Sequence, residues 1–456
     1  MARNRVIYQS QAVYASTAAF DDNLTENRTI SGLQRVQSAN YSFNIARQDV
    51  NQFGQLAAID RIITDAPTVS FDTSYYVANF TNERTLGFTI APSGSAVSSF
   101  RSAVTDLIST GAADSQKNYF ILTTKEGTDA TQDAVTKLSA GGSRTGDFES
   151  IIGIGNGFIT SYSVEASVGG LPTASVSVEG QNMNFVNLPY TAPGENANTQ
   201  LPNNPANGYV TGAFTAGSPL IAISGESPAV NPTNGQKVNK HINLPISSGD
   251  APGLGHQATG FNAISTLRPG DITLTLSRKG GDQVSGISEA AQIAGFPDYA
   301  GASIANSHIQ SFNLSFDLSR SPLQKLGNRF SFARAVDFPV SIGLSIDAIL
   351  SDLTTGSVAD IIDCDDEFDA QISMKDPKCI PGVSDEGDGD KIVCNYFLKG
   401  LKLDSQSFAG GIGDNRSVTL DFTSQIGGPE QSGNNLFMSG FYSQGLTPQE
   451  NGVWST

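Results

Sequence analysis

Val36-Gln37-Ser38-Ala39-Asn40-Tyr41-Ser42-Phe43-Asn44-Ile45-Ala46-Arg47 returns, 273 residues later, as Ile309-Gln310-Ser311-Phe312-Asn313-Leu314-Ser315-Phe316-Asp317-Leu318-Ser319-Arg320. The correspondence continues without a gap to Phe53-Gly54-Gln55 and Leu326-Gly327-Asn328. Both copies alternate apolar and polar residues, the pattern of a strand with one buried and one wet face. Ala39, Tyr41, Phe43 and Ile45 form the apolar face of the first copy, and Phe312, Leu314, Phe316 and Leu318 that of the second. After a connecting stretch, each copy reaches a proline and another alternating strand. Pro67 leads to Val69, Phe71, Thr73 and Tyr75, and Pro339 to Val340, Ile342, Leu344 and Ile346.

A second repeated unit follows in each half. Gly157-Phe158 opens a hairpin with Tyr162, Val164, Ala166 and Val168 on one face. It turns at Gly169, Gly170, Leu171 and Pro172 and returns through Ala174, Val176 and Val178. Gly400-Leu401 leads through Leu403 to a turn containing Gly413, Asp414 and Asn415, and back through Val418, Leu420 and Phe422. This match is looser and needs a one-residue slip. The order of units is the same in both halves, so one β-rich domain is expected twice: residues 1–190 and 261–456. Between them, 191–250 holds seven Pro, seven Gly and five charged residues, so 191–260 reads as a connection or insertion. Residues 96–110 predict a helix with Val97, Phe100, Val104, Leu107 and Ile108 on one face. Tyr119-Phe120-Ile121-Leu122 predicts a buried strand, and Ile272, Leu274 and Leu276 another. The Gly-, Gln- and Asn-rich tail from Gly427 is expected to dock on a neighbour.

Composition narrows the partners. The 456 residues are only 16% charged, against about 25% in an ordinary soluble protein. Asp and Glu outnumber Lys and Arg 44 to 27, for a net charge of −17. Gripping nucleic acid or an anionic membrane requires clustered cations, which this balance disfavours. The opening Met1-Ala2-Arg3-Asn4-Arg5-Val6-Ile7-Tyr8 lacks the apolar stretch of a secretory signal, and no apolar run is long enough to span a bilayer. Synthesis in a cytoplasm is the expectation.

The reactive residues form no active-site pattern. Cys364, Cys379 and Cys394 match no zinc signature; incidental thiols are the simpler reading, and a single disulfide the other. They lie in an acidic loop, 361–394, where Asp363, Asp365, Glu367 and Asp369 alternate and Asp385-Glu386-Gly387-Asp388-Gly389-Asp390 offers oxygens of the kind Ca²⁺ takes. The spacing is not that of an EF-hand, and a solvated loop explains it more simply. His241, His256 and His308 stand in no metal or nucleophile motif. Gly153-Ile154-Gly155-Asn156-Gly157 opens a strand rather than a helix, so it reads as hairpin entry and not as a phosphate cradle. No catalytic residue, cofactor or metal is expected.

The polar strand faces are uniform in kind. They carry Ser38, Asn40, Ser42 and Asn44; Ser70, Asp72 and Ser74; Ser161, Ser163, Glu165 and Ser167; and Ser175, Ser177 and Glu179. The second half adds Ser311, Asn313, Ser315, Asp317, Ser341, Ser345, Asp347, Ser417, Thr419 and Asp421. None is Lys or Arg, whereas an ordinary solvated sheet mixes both signs. Such a face suits a conduit through which DNA slides; a low-charge adhesin is the competing reading.

The hairpin Ser161–Gly180 resembles the long hairpin of the tail tube (major tail) proteins of tailed bacteriophages. The resemblance covers roughly 30–185 and 265–426, and Arg3–Ser10 is similar to the start of phage virion proteins. It implies a mainly β fold: two tandem tail-tube-like β-sandwich or half-barrel domains, each with a long hairpin and few helices. It further implies a non-enzymatic virion protein, assembled in the host cytoplasm, whose rings stack into a tail tube and meet other tail proteins. DNA passes through without specific binding, and no membrane is involved. Most members carry one such domain and form hexameric rings, so a duplicated chain implies a trimeric, pseudo-hexameric ring. A hexamer with the second domain outside is the alternative arrangement, and a baseplate hub the alternative role. Gly169, Gly170, Pro172, Gly413, Asp414 and Asn415 are then assembly-hairpin turns, and Glu165, Glu179 and Asp421 acidic lumen residues. Arg47 and Arg320, equivalent in the repeat, are expected to form structural salt bridges.

Overall fold

The computed structural model describes residues 11–17, 30–64, 68–92, 101–108, 117–124, 148–180, 182–187, 266–278, 308–323, 326, 333–349, 367–375, 392–410, 415, 417–429, 431 and 433–440. The chain is mainly β. In the first half lie β1 (Gln11–Thr17), β2 (Ile30–Gly32), β3 (Val36–Asn44), β4 (Arg47–Val50), β5 (Asp60–Ile63), β6 (Thr68–Tyr76), β7 (Ala91–Pro92), β8 (Lys117–Thr124), β9 (Phe148–Ser167), β10 (Thr173–Gly180) and β11 (Asn182–Asn187). In the second lie β12 (Ile272–Arg278), β13 (His308–Asp317), β14 (Arg320–Leu323), β15 (Ala333–Val336), β16 (Val340–Ile349), β17 (Phe368–Lys375), β18 (Ile392–Ala409), β19 (Ser417–Ile426) and β20 (Asn435–Gly440). Among the described residues the α-helices are α1 (Thr81–Leu86) and α2 (Thr105–Ile108).

The centre is one antiparallel run in the order β3-β6-β10-β9-β13-β16-β19-β18. Its first four strands and its last four repeat the same pairings, and β9 joins β13 at the middle. The repetition extends outward. β9 and β18 are long enough to leave the central run and enter side sheets, where β9 pairs with β8 and β11, and β18 with β17 and β20. β1 adds to β8 as β12 adds to β17. Even the irregularities recur. A bulge between Val36 and Ser38 is matched by one between Ile309 and Ser311, and one opposite Ser177/Val178 by one between Leu403 and Ser405. A bulge bends a strand and increases its twist, so matched bulges give both halves the same curvature.

Alternation decides which face is covered. Val69, Phe71, Tyr75, Val164, Val176, Leu314, Phe316, Ile342, Leu344, Leu420 and Phe422 are buried in one core to which both halves contribute. The offset of the second repeated unit is 244 residues throughout. It pairs Gly157 with Leu401 and Gly169 with Gly413, which removes the slip that matching glycine to glycine had required.

Two expectations change. Helix is confined to Thr105–Ile108 among the described residues of 96–110. Ser102 and Ala103 instead donate their backbone N–H groups to Pro429 O and Leu436 O, a tertiary pairing that displaces the helical one. The described residues of the tail from Gly427 dock on their own chain: β20 pairs with β18 and is buried along its length. The connection 191–260, His241, His256, Cys364, Cys379, Gly413, Asp414 and most of the acidic loop lie outside the described residues.

Candidate functional site

The polar face of the central run is organised in rows. One row crosses all eight strands: Ser38, Ser74, Ser175, Ser163, Ser315, Gly343, Thr423 and Lys402. Serines facing across strands bond to each other, Ser38 to Ser74 at 2.6 Å and Ser42 to Ser70 at 2.7 Å. The carboxylates are held by hydroxyls. Asp421 accepts from Ser345 at 2.7 Å and Ser405 at 2.6 Å, and these bonds lower its pKa. Asp347 accepts from Ser311 at 2.8 Å and Thr419 at 2.6 Å. Glu165 is exposed in the row between Thr173 and Asn313. A face of fixed hydroxyls and carboxylates is wet and acidic.

Among the described residues, cations enter only at its ends. Lys402 stands at the β18 edge, so the face is not wholly free of positive charge as the strand-by-strand reading expected. At the other side, β14 and β15 form an arm that lies over the first half. Arg334 Nη1 donates to Glu179 Oε1 at 2.6 Å, and the guanidinium of Arg320 lies 4.7 Å from the centre of the Phe158 ring. Arg320 donates to the carbonyl oxygens of Leu107 and Arg334. Burial, and then the neighbouring Arg334, lower its pKa to about 10. Among the described residues the ion pairs of the two arms fall on Arg334–Glu179 and Arg61–Asp49, not on Arg320 or Arg47. Arg61 and Arg334 stand at the same 273-residue offset, so carrying the repeat further along the chain would have found them. Glu179 is thereby a clasp for the arm rather than an open acidic group.

The hairpin turn at 167–173 is built as its sequence requires. Gly169 has φ of +84°, the left-handed region open to glycine, and Gly170 N donates to Ser167 O at 3.0 Å. Pro172 is buried, and its carbonyl accepts from Val77 N at 2.9 Å. Asn415, in the corresponding turn, is exposed.

Beneath the sheet, a polar cluster joins the halves. Tyr75 donates to Glu83 Oε1 at 2.9 Å and Tyr162 at 3.2 Å, while Tyr162 and Tyr396 share a bond of 2.8 Å. Burial pushes the Glu83 carboxyl up to about 7. The Cys394 thiol is buried and free, and burial pushes it up. Nothing in the sequence marked this cluster, because its members come from four separate elements. Asp369, from the acidic stretch, accepts from Gly400 N at 3.1 Å. Among the described residues no group of His, Cys, Asp or Glu could hold a metal ion, and no helix is long and apolar enough to cross a membrane.

No family model matches the chain, and no curated protein does. Solved structures that are similar to part of it include the following. A chain of the anti-feeding prophage baseplate, 11% identical, aligns over 37% of this chain and 92% of its own length with a TM-score of 0.24. A chain of a native gene transfer agent virion, 14% identical, aligns over 38% and 98% with a TM-score of 0.19. An Hcp protein, 6% identical, aligns over 37% and 98% with a TM-score of 0.18.

Proposed function

We propose that this chain is a ring-forming structural subunit of a hollow tube of the phage-tail type, located in the virion tail, through which a genome passes. The observation that carries the reading is the polar face of eight adjacent strands. It presents hydroxyls, amides and carboxylates in rows, with cations only where Lys402 and the Arg320–Arg334 arm bound it. Apart from Lys402 at the edge, a phosphate backbone finds no anchoring cation in those rows among the described residues and is repelled by the carboxylates, so DNA slides rather than binds.

Sheet geometry supports closure. Following the pairings from Ser38 through Ser74, Ser175 and Ser163 leads to Ser315, four residues beyond Ser311, the repeat counterpart of Ser38. The register therefore advances by one residue per strand. With about 3.3 Å per residue and about 4.8 Å between strands, that corresponds to a tilt of about 35°, within the range of closed barrels. Three copies close about 24 strands at a backbone diameter of roughly 45 Å, which leaves room for a DNA duplex inside the lining side chains. In this reading residues 1–190 and 261–456 are the two tube units and 191–260 connects them.

Negative-stain microscopy of the purified protein tests the role: rings or hollow rods are expected, and persistent monomers at high concentration overturn it. Native mass measurement of the smallest ring is expected to give three copies. Six copies would place the second unit outside the ring.

A further inference from the structure

The ring reading says that copies meet; it does not say by which residues. The repeat supplies that answer, because the joint between the halves has two sides and each side occurs again at an end of the central run. At the joint β9 and β13 run antiparallel, with Val164 opposite Leu314, Ser163 opposite Ser315 and Tyr162 opposite Phe316. Val164 and Leu314 are 0% exposed, and Phe316 is 2% exposed. The counterpart of β9 is β18, whose Lys402–Ala409 segment pairs with β19 on one side and with no described strand on the other. The counterpart of β13 is β3, which pairs with β6 and likewise ends the run.

Apolar residues on these two edges are more exposed than their counterparts at the joint. Phe408, which corresponds to Val164, is 50% exposed; Tyr41 and Phe43, which correspond to Leu314 and Phe316, are 43% and 41% exposed. The side-chain amide of Gln406, the counterpart of Tyr162, has neither its nitrogen nor its oxygen bonded among the described residues. Long open edges with large apolar side chains promote strand addition, which folded proteins otherwise block with charge, proline or cover.

We infer that the β9–β13 joint is the residue-by-residue template for the contact between copies, with Lys402–Ala409 of one copy pairing antiparallel to β3 of the next. The inference rests on the ring reading and specifies its interface. The template sets the register: Phe408 faces Tyr41, Ser407 faces Ser42, Gln406 faces Phe43 and Ser405 faces Asn44. The contact is heterologous, since one surface meets a different one, so it propagates head to tail and closes by rotation instead of stopping at a two-fold dimer.

The arms follow the same template. The β14–β15 arm covers the Phe158–Glu179 end of the first half, whereas every residue of its counterpart, β4–β5, is exposed. Phe158 and Glu179 correspond to Lys402 and Thr423, next to Asp404, which accepts from Thr423 at 2.7 Å. The β4–β5 arm thus lies across this patch of the next copy, bringing Arg61 toward Asp404 and covering Val50, Ile62 and Ile63.

Cysteine cross-linking of the full chain tests the register. Ser42→Cys and Ser407→Cys, as two single variants mixed and mildly oxidised, are expected to give a disulfide-linked dimer; the double variant is expected to give a ladder. The shifted pair Ser42→Cys with Ser405→Cys places the thiols beyond bridging reach and is expected to link about tenfold less. Rings or rods in the microscope with no Ser42–Ser407 link, or with equal linking of the shifted pair, overturn the inference and leave the ring standing. Monomers alone, by microscopy and mass, overturn both.

Discussion

The hydroxyls of Tyr162 and Tyr396 lie 2.8 Å apart, although the two residues belong to different halves of the chain. Tyr162 also donates to Glu83, which is fully buried and receives a second bond from Tyr75. Phe80 and Phe88, which flank Glu83 in sequence, pack on these rings, Phe80 edge-on to Tyr396 at 5.0 Å and Phe88 against Tyr162 at 4.9 Å. Glu83 is therefore a polar pin set where the halves meet, and its second oxygen, Oε2, has no bond among the described residues.

That pin makes stability depend on pH. The Glu83 carboxyl titrates at about 7 when folded, above its ordinary 4.5, because burial disfavours the charge. Between those values the folded state holds a proton that the unfolded chain has lost. This contribution is thus fully present below about 4.5 and is lost as pH rises through about 7. Thermal unfolding of wild type and Glu83→Gln across pH 5 to 8 checks it. The variant is expected to lose this part of the pH dependence, on the order of a few kcal/mol, and equal slopes would refute the assignment.

Phe408→Glu separates assembly from folding. Phe408 is half exposed in the single chain, so the chain is expected to stay folded, with a melting temperature lowered by the equivalent of at most about 2 kcal/mol. Sedimentation velocity is expected to show loss of rings, since a carboxylate replaces an apolar edge residue. Rods as abundant as those of wild type would count against the edge.

Arg334 and Arg61 occupy equivalent places but differ in surroundings. The Arg334 side chain is 7% exposed and paired with Glu179, while Arg61 is 68% exposed and paired with Asp49. Arg334→Ala is expected to cost about 2–4 kcal/mol and to speed proteolysis of the β14–β15 arm. Arg61→Ala in the monomer is expected to cost under about 0.5 kcal/mol. Chemical denaturation with limited proteolysis reads both.

Gly157 is a packing glycine. A Cβ there would stand 2.7 Å from Val178 Cγ1 and 2.8 Å from Tyr119 Cε2, both in the core. Gly157→Ala is expected to destabilise by about 1–3 kcal/mol through overpacking, measured by denaturant unfolding. A neutral result would mean that β8 and β10 separate without strain.

Alternation and the 273-residue offset made β3, β6, β13 and β16 legible in the sequence, because strand periodicity is local. Burial was less legible. Tyr41 and Leu314 hold the same place in the same pattern, yet one is exposed and the other buried, since only β13 has a strand on both sides. The arms were read as connecting stretch: β4 and β5 have four residues each, too few for a periodic signal. The Glu83 cluster was invisible because tyrosine in an alternating strand looks like any apolar residue until its hydroxyl finds a partner. The helix expected over 96–110 shrinks to α2 because competing acceptors, Pro429 and Leu436, lie more than three hundred residues away along the chain, beyond any local signal.

Having the β9–β13 joint inside one polypeptide makes alternate joints of the proposed ring unimolecular. Two halves tethered in one chain do not lose translational freedom on meeting, so dilution leaves that joint closed. Only the joint between Lys402–Ala409 and β3 responds to concentration. A ring of three chains then nucleates through fewer collisions than one of six, and when it comes apart it breaks into whole chains rather than single units.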